Sequence, residues 1–399
     1  MQTRLPPALQ QTPQGREAEA ILRSCVHCGF CTAVCPTYRL LGDELDSPRG
    51  RIYLIKSLLE GEAAGEQTRT HLDRCLTCHA CETACPSGVQ YGRLADIGRA
   101  ALEQQSPRPW PQRLWRWLLR RTLATSRVFA SLLAIGRLVR PLLPVALKRR
   151  IPAAAPAGAW PPPRHRRRVL APAGCVQPAL APNIDAAMAR LLDAHGISLI
   201  KVDSGCCGAL DQHLAAPGQA LRRARAYIDS LWPQLEAGAE AVAVSASGCG
   251  AMVREYAHLL RDDPAYADKA ARVSALCRDP VQLLEALPVA AIGHGRRIAF
   301  HSPCTLQHAL RMEGRVEALL QRAGFTLLPV GEAAQCCGAA GTYSILQAQL
   351  SGQLRQRKLE QLERHAPELI ATANIGCLTH LQGGSGRRVV HWVELLAER

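Results

Sequence analysis

The sequence predicts an α+β/α/β protein: an α-helical N-terminal domain followed by two tandem α/β units with mostly parallel sheets. Three observations predict this class. Residues 16–100 are dense in cysteine and short of strand-like runs. From residue 169 onward, short β-like runs alternate with helical patterns, as in chains that build parallel sheets. The two halves of that region, 169–290 and 291–399, carry cysteines at matching spacings.

Length and composition set the number of domains. A chain of 399 residues is long enough for two or three domains, and a hydrophobic content of 48% excludes global disorder. Two connecting segments separate the helical domain from the α/β units. Residues 101–150 predict a basic amphipathic helical segment. Residues 151–168 form a Pro/Arg-rich linker, whose five prolines exclude a regular helix.

The 17 cysteines indicate the cellular compartment. The N-terminal stretch has neither the apolar run nor the cleavage site of an export signal. In a reducing compartment, clustered cysteines bind metal or carry out redox chemistry. No stretch approaches the roughly 18 uncharged apolar residues of a membrane span. We therefore expect a cytoplasmic protein, or one peripheral on the inner face of the cytoplasmic membrane.

Two copies of one cysteine motif, C-x2-C-x2-C-x3-C-P, lie fifty residues apart in the N-terminal domain. The copies consist of Cys25, Cys28, Cys31 and Cys35, and of Cys75, Cys78, Cys81 and Cys85. Thiolates are the soft ligands that iron–sulfur clusters need, and three on one tight loop can bind three irons of a cubane. The fourth cysteine of such a run ligates the neighbouring cluster.

This spacing predicts two [4Fe–4S] clusters with crossed ligands. Cluster 1 is expected on Cys25, Cys28, Cys31 and Cys85, and cluster 2 on Cys75, Cys78, Cys81 and Cys35. The alternative is a pair of zinc sites, because C-x2-C pairs also bind zinc. Zinc gains nothing from the triple spacing followed by Cys-Pro, so the repeated full pattern favours clusters. Clusters that share ligand loops must lie close together, which suits electron transfer.

The α/β units each contain Cys-Cys-Gly, with one cysteine upstream and one downstream. These cysteines are Cys175, Cys206, Cys207 and Cys249 in the first unit, and Cys304, Cys336, Cys337 and Cys377 in the second. A short β-like run precedes each of these cysteine sites. Because ligands in parallel α/β folds gather at the carboxyl ends of strands, we expect the thiols to lie at those ends.

The net charge of +15 arises from one segment, since residues 104–184 contain fifteen Arg and Lys and no Asp or Glu. Apolar residues such as Leu114, Trp117 and Leu118 recur there at helical spacing. The arginines at other positions are Arg113, Arg116, Arg120 and Arg127. Such a helix can lie in an anionic membrane interface, or can pack on this protein or a partner subunit. No basic-plus-aromatic recognition module is present, so we expect no nucleic-acid binding.

The sequence resembles the iron–sulfur subunits of glycolate oxidase (glycolate dehydrogenase) in four stretches: CGFCTAVCPTYRLLGDELDSPRGRIYLIK, CLTCHACETACPSGVQYGRLADIGR, SASGCGAMVREY and CCGAAGTYSILQ. The wider group joins a two-cluster ferredoxin module to tandem cysteine-rich CCG domains. It includes the iron–sulfur subunits of anaerobic glycerol-3-phosphate dehydrogenase and of lactate-utilisation complexes. The resemblance covers nearly the whole chain. It implies a ferredoxin-like domain at 16–100 and CCG units at 169–290 and 291–399.

The CCG units depart from the full motif of this group. Relatives with the full motif end each unit in C-x-x-C and can hold a non-cubane [4Fe–4S] cluster, whereas Met252 and His380 stand at the last position here. The eight thiols remain candidate ligands of a further cluster or another metal, and His380 could replace a thiolate. The alternative is a thiol-lined pocket without metal. Cys277 stands alone and is expected to be an ordinary small residue. We expect structural roles for His301, His308 and His391.

No G-x-G-x-x-G fingerprint, P-loop or acid–base constellation is present, so substrate oxidation is not expected on this chain. The resemblance implies an electron-transfer subunit of an oxidoreductase complex. FAD-containing partner subunits would oxidise glycolate, and electrons would pass through the two clusters to a quinone or another acceptor. One alternative changes the donor to lactate or glycerol 3-phosphate. Another is an enzyme like heterodisulfide reductase, which uses the CCG domain.

Overall fold

The N-terminal part of the computed structural model, which describes residues 1–144, 148 and 151–398, is helical. Its helices are Pro7–Gln10, Pro13–Ser24, Phe30–Val34, Pro36–Leu41, Pro48–Leu59, Glu66–Asp73, Ala80–Thr83 and Tyr91–Gln105, with a 3-10 turn at Glu44–Asp46. The predicted α-helical character of this domain is confirmed.

Local capping explains where the two longer early helices begin. The Thr12 hydroxyl accepts a hydrogen bond from the Gly15 N–H at 2.9 Å, and the Ser47 hydroxyl accepts one from the Gly50 N–H at 3.0 Å. Each helix then has proline at its first position, where the missing N–H costs nothing. These caps fix the helices that lead into and out of the first cysteine loop.

The basic segment forms two helices, Trp110–Leu123 and Ser126–Val139, followed by a 3-10 turn at Arg140–Leu142. Among the described residues, no single helix is both long and apolar enough to cross a membrane. The pair Trp110–Leu123 and Ser126–Leu142 reaches that length and composition only together, with a bend of 91° between its halves.

Two four-stranded parallel sheets follow. They consist of β1 Arg167–Pro172, β2 Ile197–Val202, β3 Ala241–Ala243 and β4 Cys277–Arg278, and of β5 Arg297–His301, β6 Thr326–Leu327, β7 Leu369–Thr372 and β8 Arg388–His391. The strand orders, β2-β1-β3-β4 and β6-β5-β7-β8, are the same in both sheets. The prediction of tandem, mostly parallel units is therefore confirmed. The edge strands β4 and β8 were not predicted.

Helices connect and cover these strands. In the first unit they are Gln177–Leu180, Asn183–Asp193, Ala209–His213, Pro217–Glu236, Ser247–Arg254, Tyr256–Leu259, Ala267–Leu276 and Pro280–Leu284. In the second unit they are Arg315–Arg322, Tyr343–Leu346, Ala348–Glu363, Ile375–Gln382 and Trp392–Leu396, with one π-helical turn at Thr305–Ala309. Such covering helices are what a parallel sheet requires, because both of its faces are buried.

One apolar core joins the two units. It includes Val169 and Leu199 from the first sheet and Ile298 and Leu369 from the second, all at most 3% exposed. The helical domain docks on both units through ion pairs, Arg93 with Glu255 at 3.1 Å and Arg39 with Glu332 at 2.6 Å. The cysteine loops of the helical domain thereby lie against the ends of the strands.

Candidate metal centres

The two N-terminal cysteine loops have the same backbone conformation. Cys25 follows the helix Pro13–Ser24, and Cys75 stands two residues after the helix Glu66–Asp73. Positive φ angles recur at matching positions, 58° at His27 and 51° at Thr77. They recur again two residues later, at Gly29 in the first loop and His79 in the second. These left-handed residues turn each loop tightly enough to bring three cysteines together.

Each predicted ligand set lines one pocket. The first pocket is lined by Cys25, Cys28, Cys31 and Cys85, with Cys81 at its edge. The second is lined by Cys35, Cys75, Cys78 and Cys81. The empty volumes, partly open to solvent, are about 430 and 320 Å³. Cys81, Pro48 and Tyr91 border both pockets and form their common wall.

The two pockets differ in exposure. At the first pocket Cys28 is exposed, and the neighbouring Val26 and Phe30 are 67% and 63% exposed. At the second, Cys35, Cys78 and Cys81 are buried, and Cys75 is half-buried. The thiols of the second pocket are therefore more deeply buried than those of the first, and we call the first pocket the outer and the second the inner one.

A buried arginine lies beside the second pocket. Arg51 is 1% exposed, and its Nη1 lies 3.9 Å from the Cys35 Sγ. Its Nη2 contacts the Asp46 carboxylate at 3.1 Å, and Arg74 contacts the other oxygen of that carboxylate at 2.8 Å. Although burial opposes ionisation, the guanidinium groups of Arg51 and Arg99 lower the pKa of Cys75. This charge distribution favours thiolates and hence metal ligation.

Three other thiols, those of Cys31, Cys78 and Cys81, have raised pKa values, which favour the protonated form when no metal is bound. Burial raises the pKa of Cys31 to about 11, and it raises the pKa of Cys78 and Cys81 well above the ordinary value. Because a metal binds the thiolate, assembly of a cluster here must release protons. Four thiols around one pocket are the donor set that a [4Fe–4S] cluster takes, so the residues fit the group.

The CCG cysteines form one row of thiols in each α/β unit, at the carboxyl ends of the strands as predicted. In the second row the Cys304 and Cys336 sulfurs are 3.8 Å apart. Each Cys-Cys-Gly motif requires its glycine, because φ is 91° at Gly208 and 89° at Gly338, in the left-handed region that favours glycine. A Cβ on Gly338 would also lie 2.8 Å from the Ser351 carbonyl oxygen. These glycines let the paired cysteines approach the following helix.

Two sequence families match the chain. The 4Fe-4S dicluster domain covers residues 21–89, and the cysteine-rich domain covers residues 169–254 and 298–382. Over its full length the chain is 52% identical to the glycolate oxidase iron-sulfur subunit of Escherichia coli strain K12, with 99% of that protein covered. The chain belongs to the glycolate oxidase iron–sulfur subunit family.

Two further similar proteins support the assignment of the chain to this family. The chain is 30% identical to the probable glycolate oxidase iron-sulfur subunit of Bacillus subtilis strain 168, covering 98% of this chain and 96% of that protein. It is 33% identical to lactate utilization protein A of Geobacillus thermodenitrificans, over 41% of this chain and 72% of that protein. Like these family members, the chain is an iron–sulfur protein with an electron-transfer role, and its CCG domains repeat.

Sequence reasoning missed the residues around the thiols. Tyr91 donates a hydrogen bond to the Cys75 Sγ at 3.5 Å, and Arg99 donates one to the Cys75 carbonyl oxygen at 2.8 Å. Lys358 is 2% exposed beside the second CCG row. These side chains come from helices remote in sequence from the cysteines, so no motif marks them.

The histidines for which structural roles are expected have different surroundings in the structure. The ring of His391 contacts the Ser245 carbonyl oxygen at 3.0 Å, and that of His308 contacts the Ala334 carbonyl oxygen at 3.1 Å. His301 differs from them, because neither of its ring nitrogens has a hydrogen-bond partner among the described residues, and its structural role stays a prediction. His380, the candidate replacement ligand, contacts the Ser351 hydroxyl at 3.2 Å. Cys277 is an ordinary buried residue, as expected.

Proposed function

We propose that this chain is the electron-transfer subunit of a flavin-dependent glycolate (2-hydroxyacid) dehydrogenase complex. It would receive electrons from an FAD-containing partner subunit and deliver them to a quinone or another respiratory acceptor. The observation that carries this proposal is the full-length identity of 52% to a glycolate oxidase iron–sulfur subunit. Substrate oxidation would take place on the partner, since no sequence motif for it is present here.

We assign the ligands as the motif spacing predicts. Cys25, Cys28, Cys31 and Cys85 would hold one [4Fe–4S] cluster, and Cys75, Cys78, Cys81 and Cys35 the other. A [4Fe–4S] cluster supplies one-electron chemistry when bound. The common wall of the two pockets supports this assignment, because crossed ligands require neighbouring sites. Arg51 and Tyr91 then stabilise negative charge on the sulfurs of the inner site.

The exposed side of the first pocket is the proposed docking surface for the flavoprotein. Cys28 is exposed there, between the apolar side chains of Val26 and Phe30. Exposed apolar groups of this size mark interaction surfaces more often than scattered single residues do. A partner that covers them would exclude water from the first pocket and bring its flavin near.

The eight CCG thiols, Cys175, Cys206, Cys207, Cys249, Cys304, Cys336, Cys337 and Cys377, are candidate ligands of an additional centre. In both units the first cysteine of the Cys-Cys pair accepts a hydrogen bond at 3.4 Å from the N–H of the motif glycine, Gly208 or Gly338. A backbone N–H directed at sulfur favours the thiolate, which supports ligation over an inert pocket.

Peripheral membrane contact is a second proposal, carried by the exposed apolar face of the basic segment. Trp110, Trp117, Leu138 and Leu142 are 51–87% exposed. Exposed tryptophan and leucine beside unpaired arginines are typical of helices that lie in a membrane interface. Such contact would bring the chain to a membrane quinone and would place the complex on the inner face of the cytoplasmic membrane.

The substrate that donates electrons to the complex is tested by anaerobic co-purification with native partner subunits. Glycolate, D-lactate, L-lactate or glycerol 3-phosphate is then added. Glycolate is expected to bleach the cluster absorbance. A Cys28→Ala variant should slow this bleaching, while Cys277→Ala, outside all thiol sites, should not. Bleaching by lactate or glycerol 3-phosphate alone would replace the glycolate assignment by that alternative. Reduction of an added disulfide by the isolated chain would favour the heterodisulfide-reductase alternative.

A further inference from the structure

The thiol row of the second CCG unit includes an imidazole. Ligand atoms of His301, Cys337 and Cys377 all lie within 4.8 Å of one another, and all three residues are buried. Cys304 and Cys336 extend the same row, with their sulfurs 3.8 Å apart. Imidazole and thiolate together are a donor set for zinc and for iron–sulfur centres.

The backbone of His301 takes part in the sheet, where its carbonyl oxygen accepts a hydrogen bond from the Thr372 hydroxyl at 2.9 Å. His301 ends β5 at 1% exposure, and neither ring nitrogen finds a hydrogen-bond partner among the described residues. A buried polar group left without a partner is destabilising. His391 is equally buried at the end of β8 but has the Ser245 carbonyl oxygen at 3.0 Å. A metal bond would supply the partner that His301 lacks.

A buried cation lies beside the same row. Lys358 is 2% exposed, and its ammonium group donates hydrogen bonds to the carbonyl oxygens of Glu332 at 2.7 Å and Ala333 at 3.3 Å. The Glu332 carboxylate is itself bound by Arg39 and Arg357. In the part of the chain that the structure describes, Lys358 forms no ion pair. Buried charges are normally paired, so an anionic centre on the adjacent thiols would complete the site.

Among the described residues of the first unit, no imidazole joins the thiol row, and the arginine that acts on Cys206, Arg223, is already paired with Asp211 at 2.6 Å. Pro172 stands three residues before Cys175, just as His301 stands three residues before Cys304. Beside the first row lie Tyr227 and Tyr256, whose rings meet edge to face. Neither residue carries a charge or an imidazole, so the two CCG units are chemically different although their strands have the same order.

We propose that the second CCG unit binds a thiophilic metal centre through a mixed ligand set, the imidazole of His301 with the thiolates of Cys337 and Cys377. Lys358 offsets the negative charge of that centre. Binding replaces the two thiol protons, which are released to solvent. Cys336 and Cys78 belong to one apolar cluster, against which Cys304 packs, so the centre would adjoin the inner dicluster pocket. The inference deepens the proposed role of the CCG thiols and does not depend on the substrate.

The test is metal and sulfide analysis of the full chain after anaerobic reconstitution with Fe²⁺ and sulfide. The wild type is expected to hold metal beyond the iron of two [4Fe–4S] clusters. His301→Leu and Cys377→Ala should lose that surplus, whereas His301→Cys, which supplies a thiolate, should retain it. Cys277→Ala is the matched control, because Cys277 is a buried cysteine outside both rows.

The kind of metal follows from the same samples. Surplus iron with sulfide indicates a cluster, and surplus zinc without sulfide indicates a single ion; either outcome supports the site. If the surplus contains iron, a nitrogen hyperfine coupling in pulsed EPR of the wild type should vanish in His301→Leu. The proposal is overturned if the wild type holds no metal beyond the two clusters. It is also overturned if His301→Leu keeps the surplus metal. Circular dichroism shows whether His301→Leu is misfolded. If it is, the metal content of Cys377→Ala decides whether the site exists. Glycolate-driven bleaching tests the proposed function separately.

Discussion

The Tyr91 hydroxyl lies 3.5 Å from the Cys75 sulfur and donates a hydrogen bond to it, although Tyr91 is 4% exposed and sixteen residues away in sequence. The Thr77 N–H contacts the same sulfur at 3.4 Å. Hydrogen bonds to ligand sulfurs stabilise the more negative, reduced state of an iron–sulfur centre. A cluster held by Cys75 would therefore be tuned by a side chain that also borders the outer pocket.

Replacing Tyr91 by Phe is expected to lower the reduction potential of the inner cluster. The variant removes one hydrogen bond worth about 1 kcal/mol, which corresponds to about 40 mV for one electron. An EPR-monitored redox titration of the reconstituted chain measures the shift. Tyr53→Phe is the control, since Tyr53 is 55% exposed and lines neither pocket. Equal potentials in wild type and Tyr91→Phe would contradict the assignment of Cys75 as a ligand.

Replacing Arg51 by Met is expected to destabilise the helical domain. The variant leaves the fully buried Asp46 carboxylate without one of its partners, and breaking a buried pair costs about 3–5 kcal/mol. Arg49→Met is the matched control, because the ion pair of Arg49 with Glu44 is partly exposed and is worth less than ~1 kcal/mol. Thermal unfolding under anaerobic conditions, monitored by circular dichroism, compares the two. The ring of His71 also lies 3.1 Å from the Asp46 carboxylate, and equal midpoints would contradict the prediction by showing that Arg74 and His71 suffice to hold Asp46.

Asp279 should make stability depend on pH. Burial raises the pKa of Asp279 to about 7, while Arg254 and Arg315 oppose the shift. Between about pH 4 and pH 7 the folded state keeps a proton that the unfolded state has released. The contribution of Asp279 to stability therefore falls as pH rises through this window, by at most ~1.4 kcal/mol per unit, and is constant above it.

The Asp279→Asn variant tests this linkage. Asparagine can still accept the hydrogen bond from the Val281 N–H that caps the next helix, a bond of 3.0 Å in this structure. The free energy of unfolding of the variant, relative to wild type, should rise from pH 5 to pH 7 and stay level to pH 8. Urea unfolding at each pH provides the values, with Asp262→Asn at an exposed position as control. A difference that does not change with pH would refute a raised pKa at Asp279.

The parts of this molecule that could be predicted are those that depend on residues close together in the sequence. Each cysteine loop carries its ligands within eleven residues, so spacing alone indicates the chemistry. The strands β1, β3, β5 and β7, which precede CCG thiols, contain the short buried apolar runs typical of parallel strands. In contrast, β4 has only two residues, and β8 continues directly into the helix Trp392–Leu396, so neither resembles a strand. The domain boundaries at 100, 150 and 168 stay a prediction.

The surroundings of the thiols could not be predicted, because they depend on tertiary packing. Arg51, Tyr91 and Lys358 reach the cysteines from separate helices, and arginine or lysine on a helix usually indicates a solvated face. The sequence predicts a structural role for His301 because no partner motif accompanies it. Only the fold reveals that a ring nitrogen of His301 lies beside Cys337 and Cys377, and that the ring has no hydrogen-bond partner in the part of the chain that the structure describes.

The last prediction concerns the arginines of the basic segment, which the fold divides into two groups. Arg116 pairs with Asp73 at 3.1 Å and Arg120 lies 4.0 Å from Asp211, so both face the protein. Arg113 and Arg127 are exposed next to the apolar face. An arginine near an anionic membrane surface contributes about 1 kcal/mol, or about fivefold in affinity. Of these four arginines, only the exposed Arg113 and Arg127 are therefore expected to contribute to binding.

Arg113→Gln with Arg127→Gln should weaken binding to phosphatidylglycerol-containing vesicles by about 25-fold at low salt, if the two contributions add. Leu138→Ser with Leu142→Ser should weaken it at all salt concentrations, because the apolar term is not screened. Arg116→Gln is the matched control and should leave vesicle binding unchanged. Co-sedimentation of the reconstituted chain measures all four proteins. A wild type that does not sediment with vesicles would refute membrane contact, and the exposed tryptophan and leucine face would then be a surface for a partner subunit.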